Sequence, residues 1–177
     1  GPRQSSFLLV RGTFRLPAHP SDSPLHESAR LVTDEPVTMP GAVRLVRLLS
    51  DRLPLAVASN CPRVVVEGSL ERAGLLAHFQ HLVVPDTGDR VRPKPHPDVY
   101  AVAARLCGVP PHRVLAVEDS LTGVDAARRA SLRVLGVGPR PQGDGAMLAD
   151  SWLPSLDAPE LLAWAHTLGS PQRPQQP

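Results

Sequence analysis

Cysteine and aromatic residues are scarce in this chain of 177 residues, and each scarcity excludes a class of protein. Two cysteines, Cys61 and Cys107, are too few for a disulfide framework or a metal cluster, so we expect reduced thiols in a cytoplasmic protein. Aromatic residues make up only 3% of the chain, which leaves little surface for stacking on bases. The formal net charge of +2 gives no general reason to bind nucleic acid or an anionic membrane.

Long apolar runs are also missing. None approaches the roughly 20 residues that a bilayer-spanning helix needs, and residues 1–4 lack the apolar core of a signal peptide, so we expect no membrane partner. Hydrophobic residues nevertheless make up 42% of the chain, which is typical of a globular protein. The length suits one domain with a full core.

Proline, by contrast, is plentiful, with 21 residues unevenly placed. Prolines crowd residues 16–40, where they predict a long irregular connection, and the tail from residue 169, which is too polar to order itself. We therefore expect one domain over residues 1–168, with an irregular segment at 16–38, and a disordered tail at 169–177.

Short apolar runs alternate with amphipathic stretches along the rest of the chain, a pattern that predicts alternating strands and helices. Continuous apolar strands of this kind are typical of an α/β fold with a parallel sheet covered on both faces. The predicted strands are 7–10, 55–58, 82–84, 114–117 and 134–137, and the predicted helices are 42–51, 63–73, 98–107, 121–130 and 158–168.

Polar residues follow three of these strands, at the edge where parallel sheets bind ligands. Ser59 and Asn60 follow the second strand, Lys94 lies in the loop after the third, and Glu118-Asp119 follow the fourth. A hydroxyl and an ammonium group suit a phosphate, and paired carboxylates suit a magnesium ion. Taken singly, each residue has an ordinary alternative: a turn serine, a solvated lysine, or acids at a helix amino terminus.

In order and register, these residues resemble the haloacid dehalogenase-like (HAD) superfamily, in the branch of β-phosphoglucomutases and phosphoglycolate phosphatases. Residues 58–60 (ASN) resemble motif II, residues 94–100 (KPHPDVY) resemble motif III, and residues 117–127 (VEDSLTGVDAA) resemble motif IV. The resemblance extends over roughly residues 40–138. It implies a Rossmann-like three-layer domain with parallel strand order 3-2-1-4-5.

The resemblance also implies a function, that of a magnesium-dependent phosphatase or phosphomutase acting on a small phosphorylated metabolite. Lys94 and Asp119 would be catalytic, and Mg²⁺ would be held by Asp119 with assistance from Glu118. The phosphate would be bound by Ser59, Asn60, Lys94, Gly12 and Thr13.

Motif I departs from the family pattern, in which an aspartate nucleophile and an acid/base aspartate follow the first strand. Here residues 9–13 read Leu-Val-Arg-Gly-Thr, so Leu9 and Arg11 stand in place of the two aspartates. Leucine has no lone pair with which to attack phosphorus, and arginine stays protonated. Asp22 and Asp34, further on, do not follow a strand.

Two further departures concern the cap and one turn. The segment 16–38 stands where relatives carry a helical cap, so we expect the cap to be absent or vestigial. Ser131 stands where relatives usually have a glycine in left-handed conformation. Three explanations stay open: a catalytically inactive HAD-like domain that binds phosphate or a protein partner, an altered amino-terminal segment, or chemistry moved to other residues.

Overall fold

The computed structural model describes the backbone of residues 7–10 and the whole of residues 39–85 and 90–168. The predictions for the segment 16–38 and for the tail 169–177 lie outside the described residues. Six strands and five α-helices alternate along the described parts of the chain. The strands are β1 (Phe7–Val10), β2 (Leu55–Ala58), β3 (His81–Val83), β4 (Val114–Glu118), β5 (Arg133–Val137) and β6 (Ser151–Leu153). The helices are α1 (Ala42–Ser50), α2 (Arg63–Arg72), α3 (Asp98–Leu106), α4 (Leu121–Arg129) and α5 (Pro159–Thr167).

All six strands run parallel in one sheet of order β3-β2-β1-β4-β5-β6. The expected order 3-2-1-4-5 is confirmed, and the sheet gains β6 at its edge. Leu9 of β1 lies opposite Ala56 of β2 and Ala116 of β4. The chain passes from β1 outward to β3 and then returns to β4, so the switch in strand order falls between β1 and β4.

Helices cover both faces of the sheet, as continuous apolar strands require. On one face α1, α2 and α5 pack on large side chains such as Leu55 and Val57. On the other face α3 and α4 pack on small ones such as Ala56 and Ala116. The difference arises because neighbouring strand residues point to opposite faces.

The predicted elements agree with the structure to within a residue or two at their ends. The largest omission is β6, whose three residues are too few to give a periodic pattern. Its Trp152 packs against Gly136 of β5, where a β-carbon would overlap the indole ring, and its indole N–H donates to Gly138 O. This edge strand is therefore defined by a tertiary contact.

Three helices end in the same hydrogen-bonded turn with a residue in left-handed conformation. Gly74, Gly108 and Ser131 have φ of 67°, 69° and 64°, respectively. After α4, Ser131 N–H donates to Arg128 O and Leu132 N–H donates to Ala127 O, which is the Schellman arrangement. The expected left-handed conformation at Ser131 is confirmed, and a side chain in this region is strained.

Exchanging the residues at two of these turns should change stability in opposite directions. Ser131→Gly should raise the free energy of unfolding by about 0.5–1 kcal/mol, because glycine relieves the left-handed strain at some cost in chain entropy. Gly108→Ser should lower it by a similar amount, since a β-carbon there meets no neighbour within 4 Å and only φ is unfavourable. Urea unfolding of both variants checks this, and equal signs would contradict it.

Candidate active site

The amino group of Lys94 lies over the carboxyl end of β1. Its Nζ donates to Ala58 O at the end of β2, at 2.9 Å, and to Glu118 Oε1 at the end of β4, at 2.6 Å. Because β2 and β4 flank β1 in the sheet, the ammonium group sits at the switch point of the strand order. Ligands of open α/β sheets bind at this position.

Lys94 and Glu118 form a buried ion pair. Their side chains are 2% and 0% exposed, respectively. The Tyr100 hydroxyl lies 3.1 Å from Lys94 Nζ and also donates to Glu118 Oε1. Two opposite charges removed from water need such additional hydrogen bonds, because desolvation otherwise offsets much of their attraction.

The other oxygen of Glu118 is bound at the start of α4. Ser120 Oγ donates to Glu118 Oε2 at 3.3 Å and accepts from Gly123 N–H at 3.2 Å, which makes Ser120 the N-cap of the helix. Gly123 lies flush against the carboxylate, so that a β-carbon there would overlap it. Both oxygens of Glu118 are thus engaged inside the protein.

Ser59 and Asn60 link the end of β2 to the Lys94 loop. Ser59 is buried, and its Oγ accepts from Cys61 N–H at 3.1 Å; a hydroxyl that accepts still carries a donor. The side-chain amide of Asn60 donates to Lys94 O at 3.2 Å and accepts from Lys94 N–H at 2.8 Å. Asn60 therefore holds the main chain of Lys94, and its predicted contact with phosphate stays a prediction.

An ion pair closes the loop that presents Lys94. Arg92 donates to both oxygens of Asp98 from Nε and Nη2, each at 2.9 Å, and its backbone N–H also donates to Oδ2. The hydrogen bonds from Arg92 hold the pKa of Asp98 at about 2, below its usual value. Asp98 is also the first residue of α3, where a negative charge is favoured.

The remaining predicted site residues fall into two groups. Asp119 follows β4 directly and is half-buried beside the ion pair. Leu9 lies in the described backbone of β1, whereas Arg11, Gly12 and Thr13 lie outside the described residues. The first acidic residue of the whole sequence is Asp22, so no carboxylate immediately follows β1.

Sequence reasoning missed the contribution of Tyr100. It is the single tyrosine of the chain, lies six residues after Lys94 and is fully buried between Lys94 and Glu118. A tyrosine among apolar residues in a helix is most simply interpreted as part of the core. Only the pairing of α3 with the ends of β2 and β4 shows that its hydroxyl meets two charges.

Comparison with known proteins agrees with this geometry. A match to the haloacid dehalogenase-like hydrolase family spans residues 17–131, which is more than half of the chain. The chain belongs to this family. The matched range begins after residues 9–13, so the correspondence of Leu9 and Arg11 with motif I rests on the central place of β1 in the sheet.

Curated proteins and solved structures of the same superfamily are similar to this chain. It is 31% identical to the validoxylamine A 7'-phosphate phosphatase of Streptomyces hygroscopicus subsp. limoneus, over 73% of this chain and 59% of that protein. The structure of a β-phosphoglucomutase-like protein from Thermotoga maritima matches with a TM-score of 0.67 and 26% identity, over 81% of this chain and 67% of that one. A HAD family hydrolase from Deinococcus radiodurans R1, solved with bound phosphate and sodium, matches with a TM-score of 0.66 and 31% identity, over 81% and 66% of the two chains.

The alignments span between 10% and 63% of the lengths of eight curated relatives. Among the described residues, no helix is long and apolar enough to cross a membrane.

Neutralising Glu118 should test how much the buried ion pair stabilises the fold. Glu118→Gln leaves the Lys94 charge buried without its counter-ion, and we expect the free energy of unfolding to fall by about 3–5 kcal/mol. The matched control is Glu67→Gln, which breaks the half-exposed Arg63–Glu67 pair and should cost about 0.5 kcal/mol or less. Urea unfolding of both variants measures the difference, and equal losses would contradict a special role for the buried pair.

The Arg92–Asp98 pair should stabilise the protein in a pH-dependent way. Folding lowers the pKa of the Asp98 carboxyl from its ordinary value of 3.8 to about 2, so its stabilisation is present above about pH 4 and is lost as pH falls through 2. Asp98→Asn should therefore lower the melting temperature more at pH 7 than at pH 3. Thermal unfolding of both proteins at the two pH values checks this, and a gap that widens at pH 3 would refute it.

Proposed function

We propose that this chain binds the phosphate group of a small phosphorylated metabolite at the carboxyl edge of its sheet, and that it does not hydrolyse the ester as it stands. The observation that carries the proposal is the convergence of Lys94 and Glu118 at the end of β1, with Ser59 and Asp119 beside them. Named relatives act on phosphorylated compounds, among them a phosphorylated carbohydrates phosphatase of Thermotoga maritima.

Phosphate binding would use the groups at the ends of β2 and β4. Lys94 offers a compact positive charge that is shielded from water, where its attraction for an anion is stronger than at the surface. The Ser59 hydroxyl would donate to a phosphate oxygen, and Asn60 would keep the Lys94 main chain in place. The predicted contributions of Gly12 and Thr13 are part of the same proposal.

Hydrolysis, in contrast, lacks its nucleophile. Transfer of a phosphoryl group to the protein needs an anionic oxygen close to phosphorus and in line with the leaving group, and Leu9 offers only methyl groups. Arg11 stays protonated, so it cannot serve as a general base. These two residues favour the inactive domain over the active phosphatase or phosphomutase that the family resemblance implies.

The described residues do not fit a resident Mg²⁺ ion, the cofactor that the family implies. Among residues 39–85 and 90–168, no group of three His, Cys, Asp or Glu side chains could hold a metal ion. Both oxygens of Glu118 are already hydrogen-bonded within the protein, and motif I supplies no carboxylate. Of the two predicted ligands only Asp119 keeps part of its surface exposed, so no step of the proposal involves the ion.

A cytoplasmic location is part of the proposal. Cys61 and Cys107 are both free thiols, as expected of a protein kept in a reducing compartment.

Turnover of an aryl phosphate tests the proposal. The chain as it stands should release no aryl alcohol above the buffer rate at pH 7 with MgCl₂ in excess over the protein. The double variant Leu9→Asp/Arg11→Asp returns the nucleophile and the acid/base, and it should gain measurable turnover. The rate is expected to stay low, because the sequence predicts an absent or vestigial cap, and a site without a cap would remain wet.

The control adds Asp119→Ala to the double variant and should remove the gained activity. The same assay is run on the unmodified chain with and without Asp119→Ala. Robust turnover by the unmodified chain, abolished by Asp119→Ala, would show that the nucleophile lies elsewhere in the sequence and that the chain is an active enzyme.

A further inference from the structure

Lys94 is chemically unique in this chain. Of the 19 lysine and arginine residues, Lys94 alone is a lysine. It is also among the few buried polar or charged residues, with 6% of its surface exposed. An ammonium group is compact and has three donors that point away from one another, whereas a guanidinium group is planar and wider. The space between Ala58, Tyr100 and Glu118 suits the first of these shapes.

Each donor of Lys94 has an acceptor inside the protein. Within the part of the chain that the structure describes, three acceptors lie in reach: Ala58 O at 2.9 Å, Tyr100 Oη at 3.1 Å and Glu118 Oε1 at 2.6 Å. Lysine has three N–H donors in its charged form, so this arrangement uses all of them. A phosphate oxygen can accept a direct hydrogen bond from Lys94 only if one of these bonds is released.

The three bonds differ in how readily they can be exchanged. The Glu118 carboxylate is charged, fully buried and wedged against Gly123 and Ser120, so its bond is the strongest of the three. Ala58 O belongs to the main chain at the end of a central strand and cannot move without the sheet. Tyr100 offers a neutral oxygen at the longest distance, and its own hydrogen is directed to Glu118.

We propose that Tyr100 is the positioning residue that closes the anion site when no ligand is bound: its hydroxyl occupies the Lys94 donor that a phosphate oxygen takes on binding. Phosphate then competes with Tyr100 for Lys94, while Ala58 and Glu118 keep their bonds. The inference rests on the proposed function and adds to it the residue that sets how strongly the anion is bound.

Removing the hydroxyl should therefore tighten anion binding. In Tyr100→Phe the competing acceptor is gone, and we expect the dissociation constant for inorganic phosphate to fall about 3- to 10-fold, which is the range for one neutral hydrogen bond. If Tyr100 had only a structural role, its replacement would loosen the site and raise the dissociation constant for phosphate. The control is Ser50→Ala. It removes a hydroxyl at the end of α1 that is hydrogen-bonded to His78, and it should leave phosphate affinity unchanged.

The measurement uses the single lysine and the single tyrosine as reporters. Protein labelled with [15N]lysine gives one side-chain ammonium signal, and protein labelled with [13C]tyrosine gives one ring Cζ signal. Both are followed by NMR during titration with inorganic phosphate, against sodium chloride at equal ionic strength. In the unmodified chain both signals should shift with the same dissociation constant, because phosphate displaces the Tyr100 hydroxyl as it binds Lys94.

The outcomes separate the two proposals. A shift of the Lys94 signal without any shift of the Tyr100 signal, or binding by Tyr100→Phe that is equal or weaker, would overturn the role of Tyr100 and leave phosphate binding standing. No response of Lys94 in either protein would overturn the proposed function, and this inference with it. Should Tyr100→Phe fail to fold, as judged by circular dichroism, the Lys94 and Tyr100 signals of the unmodified chain still decide whether phosphate displaces the Tyr100 hydroxyl.

Discussion

The ion pair between Lys94 and Glu118 is the constraint on which the rest of this site depends. Two charges shielded almost completely from water are tolerable only if each finds further polar partners. Those partners account for the local sequence: the Tyr100 hydroxyl between the charges, the strand-end carbonyl of Ala58 and the Ser120 N-cap. A change at any of these positions alters the surroundings of the ion pair, which links the ends of β2 and β4.

The two faces of the sheet differ in the size of their side chains, and this difference shapes the surroundings of the ion pair. The face covered by α1, α2 and α5 is filled with leucine and valine and supplies most of the large apolar core. The opposite face is rich in alanine, which allows α3 and α4 to lie close to the strands. Tyr100 and Gly123 belong to these two helices, so the close packing brings a hydroxyl and a bare backbone up to Glu118. The site thus depends on small side chains as much as on charged ones.

The sequence was sufficient to predict the elements and their order, but only part of the site. Continuous apolar runs and the family motifs predicted five strands in the order that the sheet shows, because both signals are local or inherited. The edge strand Ser151–Leu153 was not predicted, since it depends on Trp152 packing against Gly136 of the neighbouring strand. The same limit applies to Tyr100 and to the Arg92–Asp98 pair, whose partners are set by the fold and not by spacing along the chain.

Retention of the family motifs does not by itself indicate retained catalysis in this chain. Lys94, Glu118 and Ser120 stabilise one another in the folded core, and loss of a single partner would leave a buried charge or donor unsatisfied. Selection for folding alone would therefore keep motifs III and IV after the chemistry had gone. The end of β1 is different, because an aspartate placed beside an ion pair adds a second negative charge that the fold does not need. Under the proposed loss of hydrolysis, such a residue is no longer required, and Leu9 is consistent with that proposal.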